Sequence, residues 1–116
     1  SKITRVLICS GRVYHDLAKR REELGRVDVA ILRLEQLYPF PRAALQAELA
    51  KYSNSELMWV QEEPSNMGPW TAVKCRLQTL NLNAVYVGRP SAASPATGSY
   101  RRHQAEEDYI LERAFA

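Results

Sequence analysis

The chain of 116 residues is long enough to bury one hydrophobic core and short enough to form a single domain. Its 46% hydrophobic and 25% charged residues are typical of a globular protein, and a net charge of +3 is too small to indicate nucleic-acid binding. No apolar run reaches the roughly 18 residues of a membrane-spanning helix, and no signal peptide precedes the first predicted strand. We therefore expect an intracellular protein with no nucleic-acid partner and no membrane partner.

Four short apolar runs predict four β-strands, and each is followed by a predicted helix. The strands cover residues 5–9, 28–34, 56–61 and 83–88. Each predicted helix has apolar residues at helical spacing along one face. Gly25 is expected to end the first helix, Pro41 to begin the second, and the fourth covers residues 101–115. The apolar faces, in chain order, are Val13, Leu17 and Leu24; Leu45, Leu49 and Tyr52; Trp70, Val73, Leu77 and Leu80; and Ile110, Leu111, Ala114 and Phe115. This alternation predicts a mostly parallel sheet of four to five strands with helices on both faces, a three-layer α/β/α sandwich that occupies residues 1–116 as one domain.

The two cysteines do not indicate a disulfide framework. Cys9 lies in a predicted strand and Cys75 in a predicted helix, both within apolar stretches. We expect buried thiols, which fit a reducing compartment, and we assign neither a catalytic role.

Polar residues follow each predicted strand, and the carboxyl ends of parallel strands meet at one edge of a sheet. They are Ser10 and Arg12 after the first strand, Glu35 and Gln36 after the second, Gln61, Glu62 and Glu63 after the third, and Arg89 after the fourth. Three interpretations are open: an ion-pair network that stiffens this edge, a surface that docks on another domain, and a self-contained active site. The first is favoured, and the third is the weakest.

The adjacent carboxylates Glu62 and Glu63 are not arranged as an acid and base pair. Neighbouring side chains of an extended segment point to opposite faces, so the two cannot reach one substrate atom. His15 and His103 have no acid or cysteine at metal-ligand spacing. The sequence therefore predicts no catalytic residue and no metal site.

Four segments together carry a family resemblance: "VLICSGRVYHDL", "DVAILRLEQLYPFP", "WVQEEPSNMGPW" and "VGRPSAASPATGSYRRHQ". In this order they resemble the C-terminal domain of the decarboxylating dehydrogenase component of the 2-oxoglutarate dehydrogenase complex. The resemblance covers residues 5–116.

The resemblance implies a parent enzyme that uses thiamine diphosphate and magnesium to decarboxylate 2-oxoglutarate and to succinylate the lipoyl group of a partner succinyltransferase. It implies a homodimer in the bacterial cytoplasm or the mitochondrial matrix, with the cofactors held by other domains of the chain. It also implies a mixed five-stranded sheet whose antiparallel strand comes first and precedes this chain. By this resemblance, the residues at the domain and dimer interface are Gln61, Glu62, Glu63, Asn66, Gly68 and Trp70.

Three alternatives stay open on the sequence. The parent could act on 2-oxoadipate, the chain could be a stand-alone interaction module, or an anion effector such as AMP or acetyl-coenzyme A could bind Arg12, Arg89, Arg101 or Arg102. A piece of an enzyme should expose an apolar patch where its partner domains are missing, with Tyr38, Phe40 and Trp70 as candidates. A stand-alone module should have a polar, solvated strand-end edge.

Overall fold

A computed structural model of the chain describes residues 3–35, 40–52, 54–89 and 100–116, with the side chains of residues 100–104 excepted. Strands and helices alternate throughout these residues, as the sequence predicts. The elements are β1 (Arg5–Cys9), α1 (Val13–Leu24), β2 (Val29–Arg33), α2 (Arg42–Ala50), β3 (Glu56–Pro64), α3 (Trp70–Thr79), β4 (Val85–Arg89) and α4 (Tyr100–Ala114).

The four strands form one parallel sheet in the order β2-β1-β3-β4. In its centre, Leu7 of β1 pairs with Ile31 of β2 on one side and with Met58 of β3 on the other. The chain leaves β1 towards β2 and leaves β3 towards β4, so the direction of the crossovers reverses between the two central strands. The carboxyl ends of β1 and β3 therefore flank the switch point at which open parallel sheets usually bind ligands or partners.

Helices cover both faces of the sheet, which confirms the three-layer sandwich. The residues of each strand alternate between two buried clusters because successive side chains point to opposite faces. One cluster joins the sheet to α1 and α4 through Leu7, Cys9, Val13, Leu17, Val29, Met58, Val60, Val87, Ile110, Ala114 and Phe115. The other joins it to α2 and α3 through Val6, Ile8, Ala30, Leu34, Leu45, Leu49, Trp59, Val73 and Leu77.

Two sequence predictions about burial are wrong. Leu24 is 52% exposed, because apolar spacing identifies the inner face of a helix but not how far along that face the sheet extends. Cys75 is exposed, because it follows the buried Val73 by two residues and so lies about 200° around α3. The other cysteine, Cys9, is fully buried as expected, and burial raises the pKa of its thiol to about 11.

The third strand is longer than its apolar run predicts. Pairing with β4 continues from Val60 to Pro64, which lies opposite Arg89, but the register shifts between the two residues. The irregularity carries the strand into the polar residues Glu62 and Glu63, so the predicted docking residues begin inside the sheet.

Two arginines hold the carboxyl end of α4 against the sheet. Arg5 donates from Nη1 to the carbonyl oxygens of Ala114 (3.0 Å) and Ala116 (2.7 Å), and Arg26 donates to that of Phe115. Cationic groups at this end satisfy carbonyls that the helix leaves unpaired and interact favourably with its dipole. The two arginines hold α4 against the buried cluster that it shares with α1. They thereby fix the position of the α4 face that contacts Glu62.

Candidate functional site

The strand-end segment, residues 61–68, runs from the last part of β3 to the turn before α3. It lies at the carboxyl edge of the sheet, as predicted, and the strand order places it beside the switch point. Burial changes at almost every residue along it: Gln61 and Pro64 are buried, whereas Glu63, Asn66 and Gly68 are exposed. The buried residues of this segment attach it to the protein interior, and the residues between them face the solvent.

The anchor is Gln61, which is only 2% exposed. Its Oε1 accepts a hydrogen bond from the indole of Trp59 at 2.8 Å. The two N–H groups of its Nε2 lie within hydrogen-bonding distance of three carbonyl oxygens, those of Glu63 (3.1 Å), Pro64 (3.0 Å) and Met67 (2.9 Å), so one N–H is shared between two of them. A buried amide is tolerated when both of its ends are hydrogen-bonded, and this one ties a core tryptophan to the exposed turn.

A close approach between β4 and β3 supports the anchor from the side. The hydroxyl of Tyr86 lies in hydrogen-bonding contact with the carbonyl oxygens of Glu63 (3.1 Å) and Arg89. A Cβ atom on Gly88 would lie 2.5 Å from that hydroxyl oxygen and 2.8 Å from the carbonyl oxygen of Gln61. Only glycine leaves this space open, so Tyr86 and Gly88 belong to the site although the sequence did not single them out.

The two glutamates lie on opposite faces of β3, as the extended segment predicts. Glu63 extends towards the α3 side, where its carboxylate lies about 3 Å from the position of a Cβ atom on Gly68. Gly68 has a φ of +68°, so both its conformation and the nearby glutamate favour glycine. Trp70 then begins α3, half-buried, with its ring 5.4 Å from that of Tyr86.

Glu62 points to the α1 and α4 side. It lines a cavity of about 10 Å³ with Asp16 and Glu107, and apolar side chains of the same two helices complete the lining. Burial raises the pKa of Glu62, and Glu107 and Asp16 raise it further. The cavity is no larger than one water molecule, so this face of the segment is not a substrate pocket.

The favoured interpretation of this edge, an ion-pair network joining the strand-end acids to arginines, is not seen among the described side chains. Among the described residues no salt bridge within 4 Å includes Glu62 or Glu63. Arg89 pairs instead with Glu106 of α4, Nε to Oε2, at 2.6 Å. Hydrogen bonds of Gln61 and Tyr86 hold the edge together, and the carboxylates flank it.

A search of known families matches residues 1–115 to the family described as 2-oxoglutarate dehydrogenase C-terminal. The chain belongs to this family. The match confirms the resemblance seen in the sequence, and it places the buried Gln61 and the turn that follows it within a family segment.

Curated relatives agree with the family. The chain is 48% identical over 120 residues to the 2-oxoglutarate dehydrogenase E1 component of Cupriavidus necator, a match that covers 100% of this chain and 13% of that protein. It is 46% identical over 121 residues to the proteins of the same name from Brucella anthropi and Brucella ovis, covering 98% of this chain and 12% of each relative. The chain thus spans about an eighth of the length of the curated relatives it matches.

The four arginines considered for an effector do not form a complete site among the described side chains. Arg12 is exposed at the start of α1, whereas Arg89 is only 12% exposed and is paired with Glu106. Arg101 and Arg102 lie in the first turn of α4, and their side chains lie outside the described residues. An anion at Arg89 would have to displace a carboxylate that already holds it.

The expected apolar patch is not found where the sequence placed it. Phe40 and Trp70 are half-buried and pack against the second cluster, and Tyr38 lies outside the described residues. Among the described residues the exposed large apolar side chains are Leu24, Val27, Val85 and Tyr109. The described part of the strand-end edge is therefore polar, and its apolar exposure does not separate a docking domain from a stand-alone module.

Within the described residues, no three His, Cys, Asp or Glu side chains are placed to bind a metal ion. The described residues therefore offer no carboxylate cluster that fits the magnesium ion implied by the family resemblance. None of the helices in the part of the chain that the structure describes is both long and apolar enough to cross a membrane.

Proposed function

We propose that this chain is the C-terminal domain of a larger 2-oxoglutarate dehydrogenase and that it serves assembly, not catalysis. The observation that carries the proposal is the family match over residues 1–115, together with relatives that share 46–48% identity along essentially the whole chain. The parent would decarboxylate 2-oxoglutarate and pass the succinyl group to a lipoyl group of a partner succinyltransferase. Its compartment would be the bacterial cytoplasm or the mitochondrial matrix.

Under this proposal the thiamine diphosphate and the magnesium ion are held by other domains of the parent. This division is what the family resemblance implies. The names of the relatives favour 2-oxoglutarate over 2-oxoadipate as the substrate. We assign no residue of this chain to either acid.

The strand-end segment is the surface that we propose for docking on the rest of the parent and on its second subunit. It lies at the switch-point edge, its backbone is fixed from below, and it presents exposed positions at Glu63, Asn66 and Gly68. A rigid backbone with outward polar groups suits an interface, because little conformational entropy is lost when the partner binds.

The test uses the full-length parent chain and two variants that make the same change at opposite edges of the sheet. Asn66→Arg places a long cation on the exposed strand-end turn, and Asn54→Arg places it in the exposed turn before β3, at the other edge. We expect Asn66→Arg to weaken dimer assembly, measured by sedimentation, whereas Asn54→Arg leaves it unchanged. Equal behaviour of the two variants would refute docking through the strand-end segment.

The effector site stays a prediction, since Arg12 and Arg89 are the only two of its four side chains that are described. Thermal unfolding of the parent with AMP and with acetyl-coenzyme A tests it. A stabilising shift that Arg12→Ala removes would support the site, and no shift with either compound would count against it.

A further inference from the structure

We propose that Gln61 is the positioning residue of the strand-end segment: its neutral side-chain amide holds the turn in the shape that docks on the rest of the parent chain. This inference rests on the docking role proposed above. It assigns the control of that surface to a buried amide and not to the two glutamates beside it.

The groups around Gln61 require a side chain that both accepts and donates. The Trp59 indole can only donate, and the three carbonyl oxygens on the other side can only accept. A lysine would offer only donors, an ionised carboxylate only acceptors, and an aliphatic side chain neither. The neutral amide matches both sides, and the indole fixes which end faces the turn.

The backbone around the turn explains why its shape depends on this amide. The strand pairing is irregular between Val60 and Pro64, so the carbonyls of residues 63 and 64 lie where the regular ladder is interrupted. Between described residues, two backbone hydrogen bonds outside the strands tie the turn, from the amide of Ser65 to the carbonyl of Arg89 and from the amide of Met67 to the carbonyl of Pro64. Gln61 adds three more contacts, all from the buried side.

The amide also links the core to the exposed part of the surface. Trp59 is fully buried between β3 and the α3 layer, so the indole that orients Gln61 cannot move. The turn residues Asn66 and Gly68 are exposed directly beyond the Met67 carbonyl that the amide holds. Loss of the amide should therefore displace the docking surface while most of the core stays packed.

The experiment compares Gln61→Glu with Gln78→Glu in the full-length parent, at pH 8 and at pH 5.5. Gln78 is exposed on α3, so it carries the same chemical change without the buried contacts. At position 61 the introduced carboxylate would face three carbonyl oxygens, whereas its protonated form can accept from the indole and donate to one carbonyl. Burial raises the pKa of such a carboxyl, so the protonated form should prevail at the lower pH.

We expect Gln61→Glu to raise the dissociation constant of the parent dimer about tenfold at pH 8 and to recover to within about threefold of the unmodified chain at pH 5.5. The sign follows from the raised pKa: the folded state is favoured while the carboxyl is protonated, and the advantage is lost as the pH rises. Gln78→Glu should change neither value. An unchanged dissociation constant at pH 8, or a loss with no recovery at pH 5.5, would overturn the proposal.

A second variant covers the case in which Gln61→Glu does not fold at pH 8. Gln61→Met keeps the length of the side chain, removes every hydrogen bond and cannot titrate, so assembly should weaken equally at both pH values. Normal assembly of Gln61→Met would refute the positioning role. Asn66→Arg separates this result from the docking role itself: if Asn66→Arg weakens the dimer and the Gln61 variants do not, docking stands and the inference about Gln61 is wrong.

Discussion

Replacing Gly88 by alanine should destabilise the fold through crowding alone. The φ of Gly88 lies outside the left-handed region, so the backbone conformation itself accepts alanine. The added methyl group would meet the Tyr86 hydroxyl oxygen at 2.5 Å and the Gln61 carbonyl oxygen at 2.8 Å. The first atom is held by backbone carbonyls and the second is part of β3, so neither can withdraw cheaply.

Overpacking of a filled interior costs about 1–3 kcal/mol, and a contact with backbone falls at the upper end of that range. A cost of about 3 kcal/mol corresponds to a melting temperature lower by about 12 °C for a domain of this size. Gly25→Ala is the matched control, because Gly25 has a φ of +63° and nothing within 4 Å of an added Cβ atom. That change isolates backbone strain, and we expect it to cost about 1 kcal/mol.

Circular dichroism melting of the chain with each substitution measures both effects. The double variant Gly88→Ala with Tyr86→Phe removes the nearest oxygen and the hydrogen bonds that hold it, so the remaining ring carbon Cζ, at 2.7 Å, is free to shift and the cost should be less than the sum of the two single costs. Full additivity would mean that the hydroxyl is not the obstacle. A Gly88→Ala chain that melts at the same temperature as the unmodified chain would refute the close approach between β4 and β3.

Four further outcomes are expected. Arg5→Met should lower the free energy of unfolding by about 2 kcal/mol, measured by urea denaturation, because it leaves carbonyls at the end of α4 without their donor. Glu62→Gln should raise the melting temperature at pH 7 and have no effect near pH 4. The reason is that the pKa of Glu62 is raised in the folded state, so its ionised form lowers the free energy of unfolding more as the pH rises. A larger increase in melting temperature at pH 4 than at pH 7 would contradict this sign. In the parent, Glu62→Ala should weaken the dimer more than it slows the chemical step, and an intact dimer without turnover would point to catalysis. The isolated chain should show no decarboxylation of 2-oxoglutarate with added thiamine diphosphate and magnesium, and measurable turnover would overturn the assembly role.

The sequence predicts the alternation of elements well because each element carries its own local pattern. β1 is found at the predicted residues, and Gly25 ends α1 with a left-handed φ, as its position after an apolar stripe indicates. The strand order cannot be read in the same way. After a helical crossover, the next strand can pair on either side of the strands already in the sheet. The sequence does not show which side is used, so only the structure shows that β1 and β3 are central.

The sequence predicts where the strand-end segment lies but not which hydrogen bonds hold it in place. Parallel strands bring their carboxyl ends together, and that rule places residues 61–68 at one edge. The alternation of Trp59, Gln61 and Glu63 also puts the glutamine on the face of a buried tryptophan, which is a signal that sequence reasoning missed. Its partners are backbone carbonyls of a turn, and no residue type reveals where those will point. Tyr86 and Gly88 were missed for the same reason.

The charge of Glu62 costs the folded domain stability at this edge. Its carboxylate is half-buried beside Asp16 and Glu107, and each of these causes raises its pKa, so at neutral pH its charge disfavours the folded domain. Arg12 lowers the pKa, but as a smaller influence and without a salt bridge within 4 Å. A residue that only fastened the fold would be better served by an amide, as at Gln61. The gain in melting temperature on Glu62→Gln at pH 7, compared with pH 4, therefore measures how much this carboxylate costs the folded domain.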